Sequence, residues 1–359
     1  MRCLSENITA DSDFLHMKKS ILTFEEFSHS YKHKSRYTNY AKTWFPLYPS
    51  KELAQLVAAL ITDGHIDWNT YDGAPRPKKI ILYSNQKIEC QWFLDLAYSL
   101  FNEKGILKEY RSSTGFSTHS SFKAIIYCAQ LARLLIAIGV PYGDKTKSKY
   151  LVPPWILKGN KEIKRAFLST LFTFDGTIAL KRRKSSVYLN ITMNKQEKFV
   201  NNGKQFFLQI RTLLNEFGVS PGKVHIRLKQ DDKFTLMLTA SNQKSVINFL
   251  LKIGFLNPKK QKRLENLVHN IYLSGRIKFH HIPNLLTELK EKFGTDTECV
   301  KKINQIESAN YTARQFEHMR RGEVRIPIRM AKASIKLLNE EKYLGQIPPH
   351  FRELMRLYD

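Results

Sequence analysis

The sequence is short of three things, and each shortage excludes a class of protein. It has four cysteines in 359 residues, Cys3, Cys90, Cys128 and Cys299, with no CxxC pair and no ligand-like spacing. That excludes a disulfide framework and a thiolate zinc site, and leaves ordinary thiols in a reducing compartment. It has no run of 18 uninterrupted apolar residues and no hydrophobic signal segment near its start, so the expected protein is soluble and intracellular, cytoplasmic or organellar or nucleoid-associated, with no membrane partner. It is also poor in acid, with 32 Asp and Glu against 58 Lys and Arg, for a net charge of +26. An excess of that size calls for a polyanion, and nucleic acid is the expected partner. The excess is not a tail effect, because residues 276–359 hold 16 basic against 11 acidic side chains and the rest lies in residues 1–275.

What the chain does have is a repeat. LVAALITDG (Leu56–Gly64) and LSTLFTFDG (Leu168–Gly176) are both small-residue helix patterns that end in Asp-Gly and run into a strand-like stretch. In the first, Ala54, Ala58 and Thr62 recur every four residues, a narrow stripe on one helix face. Ala166 and Thr170 hold the same phase in the second, with Ser169 and Thr173 beside them. Such stripes let two helix backbones approach closely, and two such helices packed together would set both terminal acids at one end of the pair. Gly64 and Gly176 are expected to stop the helices in the left-handed conformation. Asp63 and Asp175 then stand at the negative end of a helix dipole, where an acid is mildly unfavourable until a cation arrives.

The flanking order repeats with the motif. In residues 51–158, Ser50 is placed to cap the motif helix, and His65–Trp68, a turn at Asp72–Pro77 and a strand at Lys79–Gln86 follow it. A helix at Cys90–Phe101, strands at Ile106–Arg111 and Ser121–Cys128 and a helix at Ala129–Ile138 complete the repeat. In residues 159–275 the strands are Thr177–Lys181 and Val187–Asn194, with a helix at Glu197–Phe217. Strands at Lys223–Lys229 and Phe234–Thr239 and a helix at Lys244–Ile253 follow, and GFLNPKKQKRLENL (Gly254–Leu267) reads as a basic loop. Both halves are helix–strand–strand–helix–strand–strand–helix, an α+β pseudo-dimer with an antiparallel sheet in each half. In the second, Val187, Leu189, Ile191 and Met193 would face a core. Tyr188, Asn190, Thr192 and Asn194, with His225, Arg227 and Lys229, would face outward, as on a β-ribbon that reads a DNA groove.

With these residues, the stretch Ser50–Leu267 resembles the LAGLIDADG homing endonucleases of the single-chain, two-motif type. The second motif departs from the pattern at Phe174, where the family has a small residue, and Ile61 and Thr173 replace a mid-motif acid that many members carry. The resemblance implies a pseudo-twofold pair of LAGLIDADG domains, each with an antiparallel sheet forming a DNA-binding saddle and with the motif helices packed at the interface. It implies a monomeric endonuclease that hydrolyses both strands of a long asymmetric double-stranded DNA site. Asp63 and Asp175 would hold Mg2+ or Mn2+. In QKIECQWFLD (Gln86–Asp95), Gln86 would help to position water and phosphate, and Asn194 in TMNKQ (Thr192–Gln196) would be its counterpart. Lys145 or Lys147 in GDKTKSK (Gly143–Lys149), and Lys260 or Lys262 in PKKQKRLENL (Pro258–Leu267), would stand near the scissile phosphate. Without the terminal His-Asn of splicing inteins, the expected protein is free-standing or intron-encoded. The same resemblance keeps open a non-cleaving binder on this scaffold, an intron RNA maturase or a helix-turn-helix regulator.

Two segments lie outside the repeat. Residues 1–50 are expected to be a short helical extension, with Phe14, Leu15, Ile21, Leu22, Phe24 and Phe27 helix-spaced and a basic stretch at Tyr31–Trp44. Residues 276–359 are expected to be helical, around Pro283–Phe293, Glu298–Glu307, Ala313–Arg321 and Ile328–Leu338, and to cap the core. Gly322 lies between the last two of these helices, as in a helix-turn-helix, although Glu323–Pro327 makes a long turn.

Overall fold

The computed structural model describes residues 19–29, 40–71, 74–110, 121–180, 187–229, 233–275, 277–280, 282 and 284–358. Phe14, Leu15, residues 31–39, Asp72, Arg111, Lys181 and Pro283, which the expected elements include, lie outside them. The chain divides into two compact units, one of residues 1–143 and 152–167, the other of residues 144–151 and 168–359.

The first unit starts with a short helix α1 (Phe24–His29) and a 3-10 turn at Tyr40–Trp44, whose indole donates to the carbonyl of Phe101 at 3.1 Å. The first motif forms helix α2 (Lys51–Ile61), and Ser50 caps it by accepting from the Leu53 amide at 3.0 Å. Strands β1 (Gly64–Tyr71) and β2 (Ala74–Ser84), helix α3 (Lys87–Phe101), strands β3 (Ile106–Tyr110) and β4 (Ser121–Ile126) and helix α4 (Ala129–Ala137) follow. A single turn of helix α5 (Pro154–Leu157) and the first half of helix α6 (Lys161–Asp175) also belong here. The sheet is antiparallel in the order β1-β2-β4-β3. Leu56, Ile80, Leu82, Phe93, Ala124, Ile126 and Leu131 are buried between it and the helices.

Within the second unit, α6 ends at Asp175 and leads into β5 (Gly176–Leu180) and β6 (Val187–Gln196). Helix α7 (Val200–Glu216), strands β7 (His225–Leu228) and β8 (Lys233–Ala240), and helix α8 (Gln243–Lys252) complete a sheet in the order β5-β6-β8-β7. The two sheets thus share one strand topology, which is the repeat legible in the sequence. Helix α9 (Pro258–Leu273) comes next, then a two-stranded ribbon of β9 (Lys278–Phe279) and β10 (Ile326–Pro327). The ribbon encloses α10 (Leu285–Phe293), α11 (Asp296–Glu307) and α12 (Ala313–Arg320), and α13 (Ile328–Leu338) and α14 (Pro349–Leu357) end the chain.

Four local expectations are corrected. Gly64 and Gly176 are not left-handed; they are the first residues of strands β1 and β5. What requires glycine there is proximity: a Cβ on Gly64 would lie 2.6 Å from Leu60 Cα, and one on Gly176 would lie 2.3 Å from the Phe172 carbonyl oxygen. Pro75 and Pro77 stand in β2 and not in a turn, because β4 pairs with β2 only over Ile80–Ser84 and no second ladder needs their missing amides. Gln86 lies beyond β2, as the N-cap residue of α3. Finally, the basic stretch after α8 is a helix, α9, because Asn257 accepts from the Lys259 and Lys260 amides and Pro258 occupies the first helical position.

The buried thiols of Cys90, Cys128 and Cys299 are each pushed up to about 11, chiefly by burial, which makes them poor nucleophiles. No helix among the described residues is long and apolar enough to cross a membrane.

Candidate nucleic-acid interface

In the first unit α2 runs out at Thr62, whose hydroxyl donates back to the carbonyl of Ala58 at 2.9 Å. Asp63 follows, exposed, and its carbonyl accepts from the Tyr83 amide at 3.3 Å, so β2 is fastened beside it. Gln86 lies two residues beyond that strand, at the N-cap of α3. The outer face of the sheet is set by register: Ile81 pairs with His65 on β1 and with Ile125 on β4, and Tyr83 pairs with Lys123, which pairs with Lys108 on β3. These residues and Tyr110 share one face, opposite Ile80, Leu82 and Ala124. Tyr83 and Tyr110 meet edge to face at 6.0 Å, and the Lys123 ammonium stands 5.4 Å from the Tyr110 ring centre. Aromatic rings interleaved with lysines form a surface suited to stacking and to phosphate.

In the second unit the polar face is more regular. Asn190 pairs with Thr177 and Thr239, Thr192 with Met237, and Asn194 with Thr235; His225 and Arg227 on β7 extend the same rows. The Thr239 and Thr235 hydroxyls donate to the Asn190 and Asn194 side-chain oxygens at 3.1 and 2.7 Å, which holds both amides in place. Opposite, Val187, Leu189, Ile191, Leu236 and Leu238 are buried. The expected alternation on β6 holds.

The second unit also gathers the other residues anticipated there. Asp175 is the last residue of α6, and the Lys260 ammonium donates to the carbonyls of Thr173 and, at 3.0 Å, Gly176, which flank it. A cation therefore caps the negative end of this motif helix. Lys262 points elsewhere, exposed and 3.9 Å from Glu265. Residues 144–151 belong to this unit as well, and they carry Lys145 and Lys147 in a 3-10 turn at Lys145–Lys147. Asp144 caps the turn by accepting from the Thr146 amide at 2.9 Å, and its carboxyl is lowered despite partial burial by the Thr146 hydrogen bonds and the charges of Lys147 and Lys233.

One residue that sequence reasoning passed over fixes this turn. Lys195 follows Asn194 on β6, and strand alternation puts it on the core face after Val187, Leu189, Ile191 and Met193. It is fully buried. Gly203 on α7 leaves room for its stem, since a Cβ there would come within 3.0 Å of Lys195 Cγ. The Lys195 ammonium donates to the carbonyls of Lys145 at 2.7 Å and Ser148 at 2.8 Å, and sits 3.9 Å from the Tyr150 ring centre. Burial lowers its pKa to about 8, with Lys145 adding to the shift and Asp144 opposing it. Tyr150 packs on Phe206 and takes the side-chain oxygen of Asn202 on its amide. Its phenol is raised first by burial and then by the charge of Asp175, so the turn and the acid share one neighbourhood. Extending the strand pattern one residue past Asn194 and noticing the glycine opposite would have flagged Lys195.

Among the described residues no group of three or more His, Cys, Asp or Glu is placed to hold a metal ion. The oxygen donors at the motif-helix ends are the single carboxylates of Asp63 and Asp175. One carboxylate with water and phosphate oxygens is a donor set that a hard divalent cation accepts.

Residues 162–254 match the family model of the LAGLIDADG-like domain. The chain is 26% identical over 200 residues to the tRNA-splicing ligase RtcB of Methanopyrus kandleri, covering 55% of this chain and 20% of that protein. It is 30% identical over 161 residues to the RtcB of Pyrococcus furiosus, covering 44% and 16%. The chain thus spans a fifth or less of the length of these relatives. Among solved structures, the homing endonuclease I-WcaI bound to its DNA recognition sequence covers 65% of this chain and 94% of its own, at 13% identity and a TM-score of 0.42. The likeness to the LAGLIDADG-like domain is thus established for residues 162–254, the motif helix and sheet of the second unit.

Proposed function

We propose that the protein is a site-specific DNA endonuclease that uses a divalent cation, Mg2+ or Mn2+, to hydrolyse phosphodiester bonds in both strands of a long, asymmetric duplex site. The observation that carries this reading is the same coupling in both units. The residue after the acid, Gly64 or Gly176, opens the edge strand of a four-stranded sheet whose outer face carries polar and basic side chains, Lys108 and Lys123 in the first unit and Asn190, Asn194 and Arg227 in the second. A carboxylate thus stands at the margin of a surface suited to DNA, in a protein of charge +26.

In this reading Asp63 and Asp175 would each hold a divalent cation, and such a cation would activate water and neutralise charge on the phosphate and the leaving oxygen. The protein's own groups do the rest. Lys145 and Lys260 stabilise charge on the phosphate, and Gln86 and Asn194 orient water and phosphate oxygens through their amides. Lys260 has a second duty, since its ammonium also caps α6. The sheet faces supply recognition: the amides of Asn190 and Asn194 and the guanidinium of Arg227 are side-chain types that pair with adenine and guanine edges.

The test is cleavage of a randomised duplex library with Mg2+, and with EDTA as control. Metal-dependent cuts at one long site support the proposal. Asp63→Asn and Asp175→Asn should each lower cleavage at least a thousandfold while leaving duplex affinity within about threefold. Affinity lost in step with cleavage, or tight binding with no cuts at any site, would sink it.

A further inference from the structure

The C-terminal helices contain a surface that the endonuclease reading does not use. Of the two helices that flank Gly322, the second does not face outward. Helix α13 is buried nearly all round: Ile328, Met330, Ala331, Ala333 and Ser334 are inaccessible. Its Arg329 is spent on Glu307 at 2.9 Å and on the Leu273 carbonyl at 2.6 Å. A helix enclosed in this way cannot enter a groove.

The preceding pair can. Helix α11 ends at Ser308, whose φ of 47° is left-handed, and α12 is capped by Thr312, so three residues, Ala309–Tyr311, separate the caps. The turn is pinned: Asn304 donates to the Tyr311 carbonyl and accepts from the Tyr311 amide, both at 2.9 Å. Thr312 and Gln315 close a capping box at the start of α12. The inner faces are apolar and buried, with Cys299, Val300 and Ile303 on α11 and Phe316 and Met319 on α12. Asp296 ties the pair together, 3.3 Å from Lys290 on α10 and 3.5 Å from Arg320 on α12. Two helices, a short rigid turn and a supporting bundle form the arrangement that presents a second helix to a DNA major groove.

Charge gives the partner. Residues 313–325 carry four arginines and two glutamates. Both glutamates are engaged locally, Glu317 by the Arg321 guanidinium and Glu323 by the His318 ring and, at 4.0 Å, Arg321. Arg320 is taken by Asp296. Arg314 and Arg325, both exposed, are left to face outward at the first turn of α12 and just past its end. We propose that α11 and α12 are a helix-turn-helix that reads a short block of duplex DNA through Arg314 and the free amide nitrogen of Gln315, with Arg325 on a phosphate. This is a second recognition element, separate from the two sheet faces.

The experiment uses the full chain carrying Asp63→Asn, to suppress cleavage, and selection from a randomised 40-base-pair duplex library. Arg314→Ala and Arg325→Ala are selected in parallel, and each is checked for an unchanged melting temperature. The expected consensus contains a separate block of a few base pairs that Arg314→Ala loses, with affinity down about tenfold or more. Arg325→Ala keeps the consensus, binds more weakly and lowers the slope of log affinity against log salt by about one. A consensus and affinity unchanged by Arg314→Ala overturn the proposal, and so does binding to RNA in preference to duplex. If the short block persists while no long site is selected, the endonuclease reading fails and this one stands.

Discussion

Two single residues explain more than their chemistry alone suggests. Gly176 is glycine because the backbone at the end of α6 turns back within 2.3 Å of where a side chain would begin, so any substitution there must move the helix end that carries Asp175. Lys195 is a cation on the core face of a strand, tolerated because two carbonyls and an aromatic ring replace its hydration. Its pKa near 8, below the ordinary 10.5, makes it a reporter. Between those two values the unfolded chain binds the proton and the folded chain does not, so stability rises with pH across that window, and the full cost of burying the charge is present below pH 8. Lys195→Met removes the titrating group. The stability of the native protein relative to this variant should therefore rise from pH 7 to pH 10, by up to roughly 3 kcal/mol. Urea midpoints of both proteins at the two pH values give the comparison, and parallel curves would show that the ammonium is better solvated than its burial implies.

At the scale of elements, the sequence was most legible where pattern and packing agree. Both motif helices, all eight strands of the two sheets and the core face of β6 follow from apolar periodicity and turn residues. Legibility failed where local chemistry has two readings. PKKQKR looks like a solvated loop by composition, yet Asn257 and Pro258 are a helix start, and the apolar Leu264, Val268 and Ile271 that bury α9 lie further along the chain. Asp72–Pro77 looks like a turn because proline is rare in strands, and only the pairing register reveals that this end of β2 has one open edge. For the candidate site the sequence offers residue types at motif positions but no neighbourhoods. Nothing in the sequence places Tyr150 beside Asp175, or Lys145 above Lys195. The sheet faces themselves are open to test. Lys123→Ala in the first unit and Arg227→Ala in the second, both on outer faces, should each reduce the salt slope of duplex binding by about one without changing the melting temperature. Unchanged slopes would move the DNA elsewhere on the protein.

For the whole molecule, the +26 charge sets how it meets any polyanion: association is fast at low salt, weak sequence-independent binding accompanies specific binding, and affinity falls steeply with ionic strength. Charge explains attraction but not discrimination, which has to come from ordered side chains such as the paired Asn and Thr of β6 and β8. The same division of labour applies at α12, where Arg320 and Arg321 are held in ion pairs while Arg314 and Arg325 stay exposed.

The route of the chain through residues 144–151 has a consequence for anyone who wishes to take the protein apart. Read as repeats, the sequence invites a cut near residue 159. The second unit, however, borrows eight residues from upstream, and they supply both acceptors of its buried ammonium. A fragment of residues 159–359 would leave Lys195 with no acceptors and a channel where Tyr150 had been, whereas a fragment beginning at Asp144 keeps the strap. The longer fragment should be recovered folded, with a cooperative thermal transition, and the shorter one should be insoluble or melt at least 10 °C lower; equal melting would mean that the strap is dispensable. The second unit is therefore not one continuous stretch of chain, and the boundary that preserves it lies well upstream of its own motif helix.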